Sequence, residues 1–192
     1  VFAAPSPWSP PVAVSESLPV PDLPALLVDS EGRVHALWAE AESEVQPTSA
    51  LWYARWERER WSRPNIVLRS PEGGARHPTA ALLGDYIHVA WDGGTDGQIL
   101  YSRAFLQDAY AAGGWLDLKV FGSSDITNTV SVGSRPDMAV AGGRLNVVYA
   151  VPVNEQRGVF YTSSADGGES WEQPAIVFDA AAAGWTTVDA PQ

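Results

Sequence analysis

The sequence predicts an all-β protein built from β-propeller blades. Its 192 residues include 9 Trp, 15 Pro and 17 Gly, a composition typical of short strands and frequent turns. One pattern returns three times at a period just under about 60 residues, and each copy contains four strand-like stretches separated by turn residues. Four antiparallel strands repeated in this way are typical of propeller blades. A β-sandwich, the competing fold, does not explain why the aromatic residues return in register.

Aligned columns of residues define the repeat. A proline stands before each first strand, at Pro24, Pro78 and Pro136. The second, third and fourth strands contribute a polar column and three aromatic columns: His35, His88 and Asn146; Trp38, Trp91 and Tyr149; Tyr53, Tyr101 and Tyr161; Trp61, Trp115 and Trp171. Equivalent positions in a radial repeat face different neighbours. We therefore expect His35 and His88 to be packing residues, and we predict no metal and no cofactor.

The repeats divide the chain into five parts. These are a lead-in with an orphan outer strand around Trp8 to Val14 (1–21), blade one (22–70), blade two (71–122), blade three (123–179) and the start of a further blade or a tail (180–192). Three blades cannot close a ring, since propellers typically need about four to eight. We therefore expect three four-stranded antiparallel blades of a larger propeller, or of one that another copy completes. The absence of an initiator methionine predicts a processed or truncated product.

Charge and composition exclude several classes of function. The formal net charge of -11 argues against nucleic-acid binding and against anionic membrane surfaces. The chain has no Cys, which excludes disulfides and thiolate metal sites. No apolar run is long enough to span a bilayer, so we predict no membrane insertion.

The stretch SSADGGESW in the third repeat resembles the Asp-box, S-x-D-x-G-x-[ST]-W, of the bacterial neuraminidase repeat family. The matching residues are Ser164, Asp166, Gly168, Ser170 and Trp171. In that family the box is structural and lies away from the active site. We expect Asp166 to accept hydrogen bonds from its own loop and the glycines to supply positive φ. Trp171 is expected to be an apolar plug between the third and fourth strands.

The resemblance extends over nearly the whole chain as three blades similar to those of sialidases. It implies a bacterial protein outside the cell or at its surface. Sialidase propellers open with Arg-Ile-Pro, whose arginine binds the sialic acid carboxylate. Here the first repeat has Asp22 at that position, which reverses the charge. Arg76 fits the column in the second repeat, and Arg135 is one residue out of register in the third. Sialidase activity of this chain alone is therefore not expected.

The working surface is predicted at the ring mouth, where the loops before strand one and after strand two meet. Its candidate ligand-binding residues are Arg76, His77, Asp92, Asp96, Arg135 and Glu155. The stretch WDGGTDG is predicted to be a hairpin turn, because the spacing and closing Glu of a calcium loop are missing. The stretch AEAESEVQ, from Ala39, is interpreted as a solvated loop.

Three functions remain open from the sequence. The preferred one is a non-catalytic module that binds carbohydrate or protein. The second is a glycoside hydrolase of sialidase type whose remaining blades are absent, with Arg76 as a substrate-binding residue. The third is a structural role, in which exposed blade edges pair with another copy or another chain.

Overall fold

The computed structural model describes residues 11–14, 23–41, 49–70, 73–93, 98–116, 119–121, 133–153 and 155–188. These residues form three antiparallel sheets, one in each predicted repeat, which confirms the all-β class. Within them the only helical element is a short 3-10 turn at Ala112–Gly114. The same residues contain no helix with the length and apolar character needed to cross a membrane.

Sheet 1 has one strand more than the predicted four. Its strands are β1 (Ala25–Val28), β2 (Val34–Ala41), β3 (Ser49–Glu57), β4 (Arg60–Trp61) and β5 (Asn65–Leu68). Both β4 and β5 pair with β3, so the outer strand is divided in two. Pro64 stands directly before β5 and has no backbone N–H, which interrupts the hydrogen-bond ladder at this edge.

Sheets 2 and 3 have the predicted four strands in sequential order. Their strands are β6 (Ala75–Leu83), β7 (Tyr86–Gly93), β8 (Gln98–Phe105) and β9 (Lys119–Phe121), then β10 (Ser134–Ala141), β11 (Arg144–Val151), β12 (Gly158–Ser164) and β13 (Ala175–Asp179). Trp115 and Trp171 precede the fourth strands instead of opening them. Trp115 forms only an isolated bridge, to Ala104. The indoles of Trp115 and Trp171 pack into the cores between the sheets.

Two apolar cores hold the sheets side by side. Between sheets 1 and 2, Leu37 and Tyr53 pack with Trp91 and other buried residues. Between sheets 2 and 3, Tyr101 packs in a cluster that includes Tyr149. Strand alternation directs successive side chains to opposite faces, and sheet 2 is therefore buried on both of its faces.

The polar column provides a hydrogen-bond partner for a tyrosine hydroxyl in each sheet, and this tyrosine is buried in sheets 1 and 2 and half-buried in sheet 3. His35 Nδ1 lies 2.7 Å from the Tyr53 hydroxyl, and His88 Nδ1 lies 2.7 Å from the Tyr101 hydroxyl. In sheet 3 the hydroxyl of Tyr161 donates to Asn146 Oδ1 at 2.7 Å. A buried hydroxyl without a partner is costly, so this column links the second and third strands of every sheet.

Residues 164–171 form a hydrogen-bonded turn between β12 and β13. Asp166 accepts hydrogen bonds from the Ser170 amide at 2.9 Å and from the Ser164 hydroxyl at 2.8 Å. The Gly168 amide donates to the Ser164 hydroxyl oxygen at 2.8 Å. The half-buried ring of Trp171 meets Tyr101 of sheet 2 edge-to-face, with the ring centroids 5.0 Å apart. The indole therefore packs between two sheets, not between two strands of its own sheet.

The described parts of the two ends contain no strand. Residues 11–14 are irregular, and Val14 packs beside Trp52 and Trp61 of sheet 1. The predicted orphan strand is thus not formed over Val12 to Val14, while Trp8 lies outside the described residues. Residues 180–188 are turns that pack back onto sheet 3, where Ala180 and Val188 join a small cluster with Ala150.

Acid should weaken the fold through His88. Burial lowers the pKa of this histidine to about 4, and the Arg103 cation adds to the effect. The unfolded chain binds a proton near pH 6.5, so stability is lost as the pH falls from about 6.5 to about 4, by up to about 3 kcal/mol. His88→Asn, which imitates Asn146, should remove this part of the pH dependence. Urea unfolding of both proteins at pH 7 and pH 4.5 measures it, and equal losses would contradict the assignment.

Two adjacent glycines in the 164–171 turn should respond differently to alanine. Gly167 and Gly168 both have positive φ, 68° and 87°, so either substitution strains the backbone by about 1 kcal/mol. A Cβ on Gly168 would also overlap the hydroxyl oxygen of Tyr101, whereas at Gly167 there is room. Gly168→Ala should therefore cost about 2–4 kcal/mol in total. Chemical denaturation compares the two variants, and similar losses would rule out the predicted overlap.

Candidate functional site

The first strands of the three sheets lie side by side and enclose a groove. β6 contacts β1 on one side and β10 on the other. The groove has a volume of about 430 Å³ and is called the axial groove below. It is lined by residues 23–26 of sheet 1, 77–80 of sheet 2 and 135–138 of sheet 3. Each of these segments contains the proline that begins its repeat.

The backbone is strained at two equivalent positions of the groove. β6 is irregular between Arg76 and Thr79, and β10 is irregular between Ser134 and Asp137. At these irregularities His77 has a φ of 48° and Arg135 a φ of 50°. Positive φ is uncommon in residues other than glycine, and bulges of this kind redirect side chains beside functional sites. His77 and Arg135 are therefore the matching residues of the two repeats, each directly before its proline.

Asp92 connects these two strained residues. It lies on β7, is only 2% exposed, and places Oδ2 2.8 Å from His77 Nδ1. Its other oxygen, Oδ1, accepts the backbone N–H of Arg135 at 2.7 Å. One buried carboxylate thus joins a side chain of sheet 2 to the main chain of sheet 3. Asp92 therefore belongs to β7 and not to the predicted turn, whose residues 94–97 lie outside the described residues.

The electrostatics of the site follow from this burial. Desolvation raises the pKa of Asp92, although the hydrogen bonds from His77 and the Arg135 amide oppose the shift. Arg76 lies opposite Asp92 in the strand register and is exposed. His77 is half-buried and lines the groove, whereas Asp92 does not. A ligand in the groove would meet His77, and Asp92 would hold it in position.

Glu155 and Asp96 are the two predicted ligand-binding residues that remain. Glu155 is exposed, in the connection between β11 and β12. Asp96 lies outside the described residues. Among the described residues, no group of three or more His, Asp or Glu is arranged to hold a metal ion.

Two polar residues of the groove, Thr79 and Asp137, were not predicted from the sequence. The Thr79 hydroxyl donates to Asp137 Oδ1 at 3.3 Å and also accepts the Met138 amide at 3.1 Å. Thr79 and Asp137 each follow a proline of the repeat. Their shared position after a proline could have identified them from the sequence, because the aligned prolines place both residues at the same height on adjacent strands.

No protein-family model matches the chain, and no curated protein matches it. Solved structures do resemble it. A protein of unknown function from Dyadobacter fermentans has a TM-score of 0.61 and 17% identity over 82% of this chain and 55% of its own. The catalytic domain of a GH62 α-L-arabinofuranosidase from Coprinopsis cinerea gives 0.57 and 14%, over 89% and 55%. The GH43 endo-arabinanase from Bacillus licheniformis gives 0.55 and 15%, over 88% and 59%.

These likenesses show the fold. The glycoside hydrolases among them are β-propellers with five blades, and the three sheets of this chain share their propeller-like fold. None of the proteins named here is a sialidase, and the sialidase resemblance is supported only at this coarser level. The chain spans 55–59% of the length of these three structures.

Removing the Asp92 carboxylate should weaken the contact between sheets 2 and 3. Asp92→Ala leaves the Arg135 amide and the His77 ring without their buried acceptor, which should cost about 2–4 kcal/mol. Asp92→Asn keeps an oxygen for the amide and removes a buried charge, so its cost should stay below about 1.5 kcal/mol. Urea unfolding measures both, with Glu155→Ala, at an exposed position outside the cluster, as control. Equal losses for the two Asp92 variants would contradict this role.

Proposed function

We propose that the chain is a propeller module that binds carbohydrate in the axial groove without catalysing a reaction. The observation that carries this is the connection through Asp92, which holds His77 and Arg135 in strained conformations at the groove. Backbone strain persists only where the surrounding structure enforces it, and it concentrates at binding and active sites.

The lining of the groove suits a saccharide. Pro78, Pro136 and Met138 supply apolar surface beside the hydroxyl of Thr79 and the carboxylate of Asp137. Sugars present the same combination of apolar ring faces and hydroxyl groups. The similar structures support this choice, since they include arabinofuranosidases and an endo-arabinanase. Two further similar structures are an arabinofuranosidase from Podospora anserina in complex with cellotriose and a GH62 hydrolase in complex with xylotriose.

The position of Asp92 favours binding over hydrolysis. Glycosidases commonly use two carboxyl groups that flank the scissile bond. Asp92 lies behind His77 and is engaged by two hydrogen bonds. Asp137 accepts from Thr79 and from its neighbour's amide. We therefore assign Asp92 as a positioning residue and His77 as a residue that contacts the ligand.

The second candidate is one part of a glycoside hydrolase, including one of sialidase type with Arg76 as a substrate-binding residue. The raised pKa of Asp92 favours it, because buried acids with perturbed pKa values beside a cleft are often catalytic. Such an enzyme would use groups from further blades or from another copy of the chain. An extracellular or cell-surface location is proposed on the resemblance alone.

Calorimetric titration with arabinotriose, xylotriose and cellotriose tests the proposal. We expect at least one of them to bind in the groove, and His77→Ala to weaken that binding at least tenfold. Asp29→Asn is the matched control. Asp29 is a second buried aspartate whose partner is a histidine, His35, but it lies in the turn between β1 and β2, away from the groove.

The same three sugars also distinguish the two candidate functions. Release of reducing sugar that Asp92→Asn abolishes would replace the binding module with the hydrolase. If none of the three sugars binds, or if His77→Ala and Asp29→Asn weaken binding equally, the axial groove is not the carbohydrate site.

A further inference from the structure

We propose that Asp137 determines the specificity of the axial groove and restricts its ligand to neutral oligosaccharides. Asp137 lines the groove, is exposed and directly follows Pro136 on β10. The inference rests on the function proposed above and deepens it, because it names the chemical class of saccharide that the same groove would bind.

The three walls of the axial groove differ at the two positions that flank the proline of each repeat. Before the proline stand Leu23, His77 and Arg135, and after it stand Ala25, Thr79 and Asp137. Sheet 1 therefore contributes an apolar wall, whereas sheets 2 and 3 contribute walls that can donate and accept hydrogen bonds. Sugar rings combine C–H faces with hydroxyl groups, so a saccharide can satisfy both kinds of wall.

The Asp137 carboxylate is held in place by groups from two sheets. Its Oδ1 accepts the Met138 amide of its own strand at 2.9 Å and the Thr79 hydroxyl of sheet 2 at 3.3 Å. The Met138 amide also donates to the Thr79 hydroxyl oxygen at 3.1 Å. Both bonds of the carboxylate end on Oδ1, and Oδ2 accepts none from the described residues. An acceptor fixed in this way loses little conformational freedom when a hydroxyl group binds to it.

The charged groups at the groove balance one another. Arg135 and Asp137 line it with opposite charges on the same strand. Outside the lining, Arg76 lies opposite Asp92 in the strand register, and its cation opposes the rise in the pKa of Asp92 that burial causes. Two cations thus offset two carboxylates, and His77 is counted as neutral at pH 7. A charged ligand would lose hydration in the groove without meeting a net opposite charge, which is costly.

Asp137 is the member of this set that discriminates against acidic sugars. It is exposed and lines the groove, whereas Asp92 is buried and does not line it. The carboxylate of a uronic acid beside Asp137 would place like charges together, and such contacts exclude the wrong partner. A sugar hydroxyl at the same place can donate to Oδ2. Without the Asp137 charge, Arg135 would give the lining a net positive charge and favour an acidic sugar.

Calorimetric titration with matched neutral and acidic sugars tests this role. Cellotriose and arabinotriose are each compared with the form oxidised to carboxylate at its free primary alcohols, and xylotriose is compared with xylotriose that carries a glucuronic acid. We expect the neutral member to bind the wild-type chain at least tenfold more tightly. Asp137→Asn keeps the shape of the side chain and removes its charge. It should therefore bind the acidic member at least tenfold more tightly than the wild type does.

Asp85→Asn is the matched control. It makes the same substitution at an exposed position in the turn between β6 and β7, which does not line the groove. It should leave the ratio of the two dissociation constants unchanged. Thr79→Val removes the hydroxyl that holds Asp137 and should reduce this ratio, whereas Thr79→Ser, which keeps a hydroxyl, should preserve it. A purely structural role of Thr79 would change stability without changing the ratio.

The specificity role and the proposed function can fail separately. Asp137 is not the specificity residue if the acidic member binds the wild type as tightly as the neutral one, or if Asp137→Asn and Asp85→Asn change the ratio equally. The groove would then remain a carbohydrate site as long as His77→Ala weakens binding. If no member of any pair binds, the proposed function fails and this inference fails with it. If Asp137→Asn does not fold, an unchanged ratio in Thr79→Val would overturn the inference.

Discussion

A sheet with apolar residues on both faces is stable only when both faces are covered, and this constraint organises the molecule. In sheet 2, Trp91 faces sheet 1 while Tyr101 faces sheet 3. Each core therefore belongs to two repeats, and no repeat could bury its residues alone. The radial arrangement follows directly, because sheets that each need a neighbour on both faces can pack only in a row or a ring. Among the described residues, sheets 1 and 3 each have a neighbouring sheet on one face only.

Burial on both faces creates a second requirement. The third strands of sheets 1 and 2 contribute Tyr53 and Tyr101, whose rings are in the cores and whose hydroxyls need a hydrogen bond, and Tyr161 is their half-buried equivalent in sheet 3. A histidine or an asparagine on the second strand supplies it, and both side chains reach the hydroxyl at 2.7 Å. The histidines are consequently buried, and desolvation lowers their pKa values, although the Asp29 carboxylate opposes the shift at His35. Their burial is the consequence of a tyrosine in the core.

The repeats made most of the strands predictable, because their columns place residues that share a structural role. The tyrosine column is an example, since Tyr53 and Tyr101 occupy the same place in their sheets. What the columns could not show is which residues meet across sheets. Asp92 and Arg135 are 43 positions apart, and only the packing of β10 on β6 brings them together. Glu40 was interpreted as part of a solvated loop, yet it ends a strand and is buried among indoles.

The sequence alignment already placed Arg135 one residue out of register with Arg76, and the structure adds a backbone property of that position. The sialidase pattern places its arginine two residues before the proline, which selects Arg76. In the structure the residues directly before Pro78 and Pro136, which are His77 and Arg135, have positive φ. A residue before proline already has a restricted backbone, and positive φ there is an added cost. Dihedral angles of this kind follow from the bulges and from the packing of neighbouring strands, and they leave no signature in the residue types.

Strain and burial at the axial groove support each other. Two residues with unfavourable φ cost roughly 1–3 kcal/mol each, and the Asp92 carboxylate loses its hydration on burial. Separately, each of these features would be unstable. Together the carboxylate receives two hydrogen bonds, and the two strained residues receive a common anchor. The 164–171 turn, in contrast, uses glycines where positive φ is needed and so avoids this strain. The same chain thus relieves backbone strain in that turn and retains it at the groove, where it fixes the positions of His77 and Arg135.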